Sequence, residues 1–307
     1  MSDVALAKAE RPGTRNRALA RFLRHRGAVV SAFVLAIVVL AALGAPLAER
    51  WLGHGPNDTD LGAVLAPPSW KYLLGTDDAG RDVLLRLMYG GRVSLLVGLA
   101  AALASAVIGT AIGILAGYYG GRLDAFLMRL TDGVIALPTL ALLIVLAAID
   151  LNKVGIPDSI AHSEAVSLYR IVFIISLVGW TGVARLVRGA TLSMRTREFV
   201  RAAVALGAPA RRIMLVHILP NVIGPVIVAT TLSVGGIILT ESVLSYLGLG
   251  IQPPMASWGN MLSNAQTMLF QAPELVIYPG LAIMLTVIAF NFLGDGLQDA
   301  LDPRAGE

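Results

Sequence analysis

Ionisable residues near apolar stretches are the first candidates for chemistry in this sequence. A charged group is costly in lipid, so such residues persist mainly where they bind, relay or pair with something. Only Asp132, Glu241, Asn291 and Asp295 come near the apolar stretches. A proton or ion relay would require several acids or histidines deep in these stretches, and the sequence does not supply them. For Asp132 and Asp295, at stretch ends, a salt bridge or helix cap is favoured over a functional role.

Glu241 differs from Asp132 and Asp295 because it lies toward the outer half of its apolar stretch. It lies in Thr240-Glu241-Ser242, within the fifth apolar stretch. If its side chain faces the protein interior, it lines a path, pins a gate, or makes a buried structural hydrogen bond. The sequence leaves these alternatives open. Asn291, in the sixth stretch, is the second candidate for a path or gate.

Catalytic motifs are missing from the sequence. A phosphate-binding loop needs lysine directly after glycine, but the three lysines, Lys8, Lys71 and Lys153, follow Ala, Trp and Asn. The four histidines lack ligand spacing, no H-E-x-x-H or G-x-S-x-G occurs, and there is no cysteine. We therefore predict no catalytic residues, no metal site and no enzyme activity on this chain.

The apolar stretches define the class of protein. Of 307 residues, 56% are hydrophobic and 14% are charged, and the mean hydropathy is +0.74, far from a soluble domain. Crossing a hydrocarbon core takes roughly 20 apolar residues. Six stretches approach this length, at about residues 28–48, 94–117, 128–149, 168–187, 221–244 and 276–293. The sequence predicts an all-α polytopic membrane protein with six transmembrane helices.

Lysine and arginine placement gives the orientation. With the N terminus inside, 17 of the 24 basic residues fall on inner segments and 7 on outer segments. Because cytoplasmic segments carry the excess of positive charge, both termini are predicted to be cytoplasmic. The basic pI of about 9.6 then reflects topology and contact with anionic lipid, and it gives little support to nucleic-acid binding.

The segments around the first stretch have distinct compositions. Residues 1–27 are basic and lack apolar periodicity, which predicts a mobile cytoplasmic leader, although residues 17–26 could lie on the membrane as a short helix. The first stretch could be read as a secretory signal, but its length favours a retained anchor. Residues 81–89 combine apolar and charged residues at helical spacing, which predicts an amphipathic helix along the outer interface.

Residues 195–220, between the fourth and fifth stretches, form the most informative polar segment. Apolar residues recur there at helical spacing, at Phe199, Ala202 or Ala203, and Leu206. Gly207 suits a left-handed helix end, and Pro209 stops the helix, so we predict a helix, a turn and a short helix. Alanine buries little area but lets another protein approach the backbone closely. We therefore favour a docking element over a basic loop that only anchors two spans.

This segment resembles the cytoplasmic loop of binding-protein-dependent ABC importer permeases, whose pattern is E-A-A, three residues, Gly, about nine residues, then I-x-L-P. The matching positions are Arg201-Ala202-Ala203, Gly207 and His217-Ile218-Leu219-Pro220. Arg201 stands for the usual Glu and His217 for the usual Ile, which are variants familiar in the oligopeptide and dipeptide branch. Residues 74–83, 89–95, 244–250 and 291–304 are similar to the C-type subunit of that branch. The resemblance covers about residues 20–305.

The resemblance implies a type I ABC importer permease fold in the bacterial inner membrane. It divides the chain into the leader (1–27), a first helix with an outer loop (28–93), and a transmembrane domain (94–304) that carries a coupling loop at 195–220. The implied partners are a homologous permease chain, two ATPase subunits that hold ATP and Mg, and an external substrate-binding protein. This chain would hold no cofactor. The expected docking residues are Glu198, Arg201, Ala202, Ala203, Gly207, Arg211 and Arg212.

The implied function is passage of di- or oligopeptides, driven by ATP hydrolysis on separate subunits. The main alternative is a secondary transporter driven by an ion gradient, which would need buried relays or a midplane site at broken helices. A second alternative is a membrane assembly factor. The sequence leaves the substrate open among dipeptides, oligopeptides, nickel chelates, glutathione and sugars, because the external binding protein largely sets specificity in such systems.

Overall fold

A computed structural model describes residues 14–155, 157 and 163–301 of the chain. The predictions that fall on residues 1–13, on His162 and on residues 302–307 lie outside this part. The described residues form helices joined by turns, without a named strand. The helices are α1 (Thr14–Arg24), α2 (Arg26–Leu52), α3 (Val83–Tyr119), α4 (Gly121–Ala136), α5 (Thr139–Ala147), α6 (Glu164–Arg195), α7 (Glu198–Ala205), α8 (Ala210–Tyr246), α9 (Ala265–Gln271) and α10 (Glu274–Leu301).

Five of these helices, α2, α3, α6, α8 and α10, are long and apolar enough to cross a membrane. The pair α4 and α5 makes a sixth span if the two halves are counted together. The two halves meet at an angle of 85°, so the third predicted span, residues 128–149, is not one straight helix. Pro138 lies at the break and has no N–H to continue the helix. The predicted all-α polytopic architecture is confirmed.

The amphipathic helix expected at residues 81–89 is not a separate element. It forms the first turns of α3, which runs unbroken for 37 residues. Asp82 caps this helix, because its Oδ1 accepts the backbone N–H of Leu85 at 2.9 Å. Arg86 is buried, with its Nε 3.4 Å from Asp77 Oδ2. The charges that suggested contact with the outer interface are instead neutralised inside the protein.

Glycines on one face of α3 allow close packing against α6, which is the most extensive helix pair of the described chain. Gly109, Gly113 and Gly117 are spaced four residues apart along α3. A Cβ built at Gly113 would lie 2.6 Å from the carbonyl oxygen of Ala184 and 2.7 Å from Cβ of Val187. Small residues at such positions let two helices approach where lipid supplies no hydrophobic driving force. This pairing fixes α6, the helix that leads into the coupling loop.

Part of the predicted leader is helical. Residues 14–24 form α1, and Phe22 lies against α10 at Gly296. His25 ends this helix and caps the next one, because its Nδ1 accepts the N–H of Ala28 at 3.0 Å. The described part of the segment is therefore attached to the last membrane helix. Its apolar residues were too few for the sequence to reveal this contact.

The Gly113→Ala variant tests the packing of α3 on α6. The added methyl group has no room, so we expect a loss of about 1–3 kcal/mol of stability, as for other overpacked interiors. Gly189 of α6 is a matched control, since a Cβ there meets no atom within 4 Å. The measurement is the thermal unfolding midpoint of the purified chain in detergent. Equal midpoints for G113A and G189A would contradict the packing described here.

Candidate functional site

The coupling loop is built around a tight turn at Gly207. Its φ is 79°, a left-handed conformation that suits glycine. The N–H of Gly207 donates to the carbonyl of Val204 at 2.9 Å, and the N–H of Ala208 donates to the carbonyl of Ala203 at 3.0 Å. This pair of bonds is a Schellman motif, which satisfies the last carbonyls of α7. The predicted left-handed end of the helix is confirmed.

The helix α7 has an inner and an outer face. Val200 and Ala203 are 1% and 9% exposed and belong to a buried group that we call the inner cluster. The inner cluster consists of Ala106, Ile114, Val183, Val187, Val200, Ala203, Ile213, Ile218, Val222 and Val226. On the outer face, Ala202 is exposed and Leu206 is 88% exposed. The predicted apolar stripe is therefore split, with Ala203 packed in its own chain and Ala202 and Leu206 turned away.

The second half of the loop differs from the predicted short helix. Ala210 starts α8, which passes through a π-helical turn at Ile213–Ile218 and continues to Tyr246. Pro220 has no N–H to donate to the backbone hydrogen bonds of the helix at this point. The side chain of Asn221 donates from Nδ2 to the carbonyl of His217 at 2.7 Å. Such π turns are frequent at functional sites. The coupling loop is thus continuous with the fifth membrane helix.

The charged residues of the loop point outward. Glu198, Arg201, Arg211 and Arg212 are all exposed, and Gly207 is exposed between them. None of the four charged side chains forms an ion pair with another described residue. The loop therefore exposes three cations and one acid as well as the apolar Leu206. A surface of this kind can offer charge-assisted hydrogen bonds to the carboxylates of a second protein.

Glu241 lies at the centre of a buried hydrogen-bond cluster. It is fully buried, and its carboxylate accepts from Ser94 Oγ of α3 at 3.1 Å and from Ser245 Oγ of α8 at 2.7 Å. The same hydroxyl oxygens accept backbone N–H groups of Trp258 at 3.2 Å and Ile251 at 3.0 Å. Each serine hydroxyl thus accepts a hydrogen bond from the outer loop and donates one to the carboxylate. Of the alternatives that the sequence left open, this geometry favours the structural hydrogen bond.

Asn291 does not join Glu241 in a common site. It is exposed in the inner half of α10 and has no side-chain hydrogen bond to another described residue. Glu241 lies near the outer end of α8, at a different depth. Asp132 forms the salt bridge that the sequence favours, and its partner is Arg185 at 2.5 Å. Asp295 is exposed and makes no ion pair within the described part of the chain.

Two groups of charges escaped the sequence analysis because their members are far apart in the chain. Arg188 of α6 forms a bidentate pair with Asp124 of α4, at 2.5 and 2.7 Å. In the outer segment, His54 Nε2 lies 2.9 Å from Asp82 Oδ2. Hydrogen bonds from Lys71 and Tyr72 lower the pKa of Asp60. These contacts hold the third span and the outer segment in place, and no sequence spacing indicated them.

The fold and the loop together define a polytopic membrane protein whose fourth and fifth spans are joined by a structured loop with exposed charged and apolar residues. The family model described as "Binding-protein-dependent transport system inner membrane component" matches residues 109–307, and the "N-terminal TM domain of oligopeptide transport permease C" matches residues 15–68. The chain belongs to the family of binding-protein-dependent transport system inner membrane components. It is a multi-pass protein of the bacterial inner membrane.

Relatives match along nearly the whole chain. The oligopeptide transport system permease protein OppC of Haemophilus influenzae is 41% identical over 286 residues, which cover 92% of this chain and 86% of that protein. OppC of Escherichia coli K12 is 40% identical over 92% of this chain and 89% of its own. OppC of Bacillus subtilis is 37% identical over 94% and 88%. The predicted resemblance to the C-type branch is confirmed.

Variants of Glu241 distinguish a structural role of its carboxyl group from a role in an ion relay. Glu241→Ala removes the acceptor of the buried hydroxyls of Ser94 and Ser245, at a cost of about 1–3 kcal/mol, so the outer loop should open roughly tenfold more often. Glu241→Gln retains one of the two acceptor oxygens and should fall between the alanine variant and the parent. The measurement is the rate of maleimide labelling of Ala256→Cys, a buried loop position in a chain without cysteine.

Two results would contradict the structural role of Glu241. In one, maleimide labels Ala256→Cys as slowly in the Glu241→Ala variant as in the parent. In the other, Glu241→Gln abolishes transport while the labelling rate stays at the parental value. The second result would mean that ionisation of the carboxyl is required, as in an ion relay.

Proposed function

We propose that this chain is the permease subunit of an ATP-driven peptide importer and that its coupling loop docks on a separate ATPase subunit. The observation that carries the proposal is the two-sided α7. Its inner face is packed into the inner cluster, while Phe199, Val204 and Leu206 are 44%, 54% and 88% exposed in a loop that also exposes three arginines. Several exposed apolar residues with polar neighbours are typical of a protein interface. ATP and Mg belong to the ATPase in this proposal, and this chain holds no cofactor.

Movement of the docked α7 would reach the membrane through the inner cluster. Val200 and Ala203 of α7 pack with Val187 of α6 and with Ile213 and Ile218 of α8. Interiors of this density transmit displacements rather than absorb them. Closure of an ATPase pair would therefore pull on the fourth and fifth membrane helices together. By linkage, a loaded binding protein outside would favour the ATP-closed state inside.

The broken third span supports a second permease chain as partner. In α4 the only buried residue is Thr131, and in α5 Leu143 and Ala147 are buried. Phe126 and Val145 are 66% and 64% exposed. A helix pair that is so little covered by its own chain suits an interface with a homologous chain, with the substrate path between the two. The third, fifth and sixth spans would contribute to this path.

Peptides are the proposed substrate because of the relatives. The three proteins described above carry the name oligopeptide transport system permease protein, and each is matched along more than four fifths of its length. An external binding protein would deliver the peptide to the outer surface. The secondary-transporter alternative lacks support, since Glu241 is enclosed by hydroxyl partners rather than by a relay of ionisable groups.

Gly207→Val tests whether the turn couples hydrolysis to transport. A β-branched residue at φ 79° is strained, so the Schellman turn should not form and α7 should lose its orientation. We expect normal insertion, retained ATP hydrolysis and peptide uptake reduced about tenfold or more. Gly207→Asn is the matched control, because asparagine tolerates the left-handed region. Unchanged uptake in G207V at normal expression would remove the docking proposal.

Charge reversal at Arg201 tests the contact with the ATPase. Arg201→Glu should weaken co-purification of the ATPase about tenfold, because a charge-assisted hydrogen bond contributes about 1.5–3 kcal/mol. Arg122→Glu, an exposed arginine on α4, changes the net charge equally and should leave co-purification intact. If both variants retain the ATPase equally, Arg201 does not face it.

A further inference from the structure

We propose that α1 is a binding surface for anionic phospholipid headgroups of the inner leaflet. The surface consists of Leu19, Leu23, Arg24 and Arg26, which we call the α1 patch. Leu19 and Leu23 are 59% and 60% exposed, and both arginines are exposed. Neither arginine forms an ion pair with another described residue. Two exposed apolar side chains and two exposed cations therefore lie in one short segment, which consists of α1 and the first residue of α2.

The contacts of α1 place it at the depth of the headgroups. Phe22 lies against α10 at Gly296, and His25 Nε2 lies 3.8 Å from Asp299 Oδ2. Both α10 positions follow residue 293, where the sixth apolar stretch ends, so they belong to the turns that leave the hydrocarbon core. The segment packed beside them must lie at the cytoplasmic boundary of the membrane. The short link through His25 to α2 holds α1 at the same boundary.

The chemistry of the α1 patch selects lipid over other occupants. Leu19 and Leu23 are four residues apart and share one face of the helix, while Arg24 lies on another face. Such a helix lies in the interface with its apolar face toward acyl chains. Its arginines can then donate charge-assisted hydrogen bonds to lipid phosphates. An acidic protein partner would satisfy the arginines but leave both leucines in water.

A labelled cysteine tests this surface in the assembled importer. The chain has no cysteine, so Leu23→Cys carries the single label on this subunit when the other subunits lack reactive cysteines. The importer is placed in nanodiscs of phosphatidylcholine, with or without about one third phosphatidylglycerol. We measure quenching of an environment-sensitive fluorophore by nitroxide groups on the acyl chains. Stronger quenching is expected in the discs that contain phosphatidylglycerol.

Charge variants identify the cause of the quenching. Each arginine near an anionic surface favours the bound state about fivefold, so Arg24→Gln with Arg26→Gln should abolish most of the effect of phosphatidylglycerol. Arg24→Lys with Arg26→Lys retains the charge and should preserve it. If Leu23→Cys prevents assembly, Leu19→Cys on the same face carries the label instead.

Three results would overturn the proposal. The label could remain in water in both kinds of disc, or it could be quenched equally in both. Alternatively, addition of the ATPase subunits could shield the label while lipid composition has no effect, which would assign the α1 patch to a protein contact. Lipid-dependent quenching that the glutamine variants remove and the lysine variants keep supports the anionic headgroup site.

Discussion

The packing of α7 into the inner cluster is the constraint on which the proposed coupling depends. A loop joined to its protein by flexible chain could bind a motor without moving the membrane helices. Here Val200 and Ala203 are buried among residues of α3, α6 and α8, and the Schellman turn sets the direction in which α8 departs. The helix α7 and the membrane helices therefore share one packed interior. In the proposed complex, a force on the outer face of α7 would reach the fourth and fifth spans through this interior.

Polar contacts join apolar packing in holding the outer half of the protein. Glu241, Ser94 and Ser245 tie the outer loop to α3 and α8 through backbone N–H groups of Ile251 and Trp258. Hydrogen bonds of this kind are directional and can exchange partners, whereas an apolar interior resists rearrangement.

Local features of the sequence predicted the helices and their order. They could not predict the side-chain pairs between residues that are far apart in the chain. The lengths of the apolar stretches predicted the position of every span, and Gly207 and Pro209 predicted the position of the turn. The break at Pro138 could not be predicted from the residue type, because a proline can also kink a helix without breaking it. The burial of Arg86 depends on Asp77 in a separate segment, and Arg188 depends on Asp124, 64 positions away. No periodicity within one helix contains such information.

Cross-linking from the outer face of α7 tests the central proposal most directly. Leu206→Cys in the cysteine-free chain should form a cross-link to the ATPase subunit in the assembled importer, whereas Ala203→Cys, three residues away on the inner face, should not. The cross-link at Leu206 should also stop ATP-driven uptake, because it fixes the docked geometry. A cross-link from Ala203 in preference to Leu206, or none from Leu206 to the ATPase, would contradict the two-sided helix and its role.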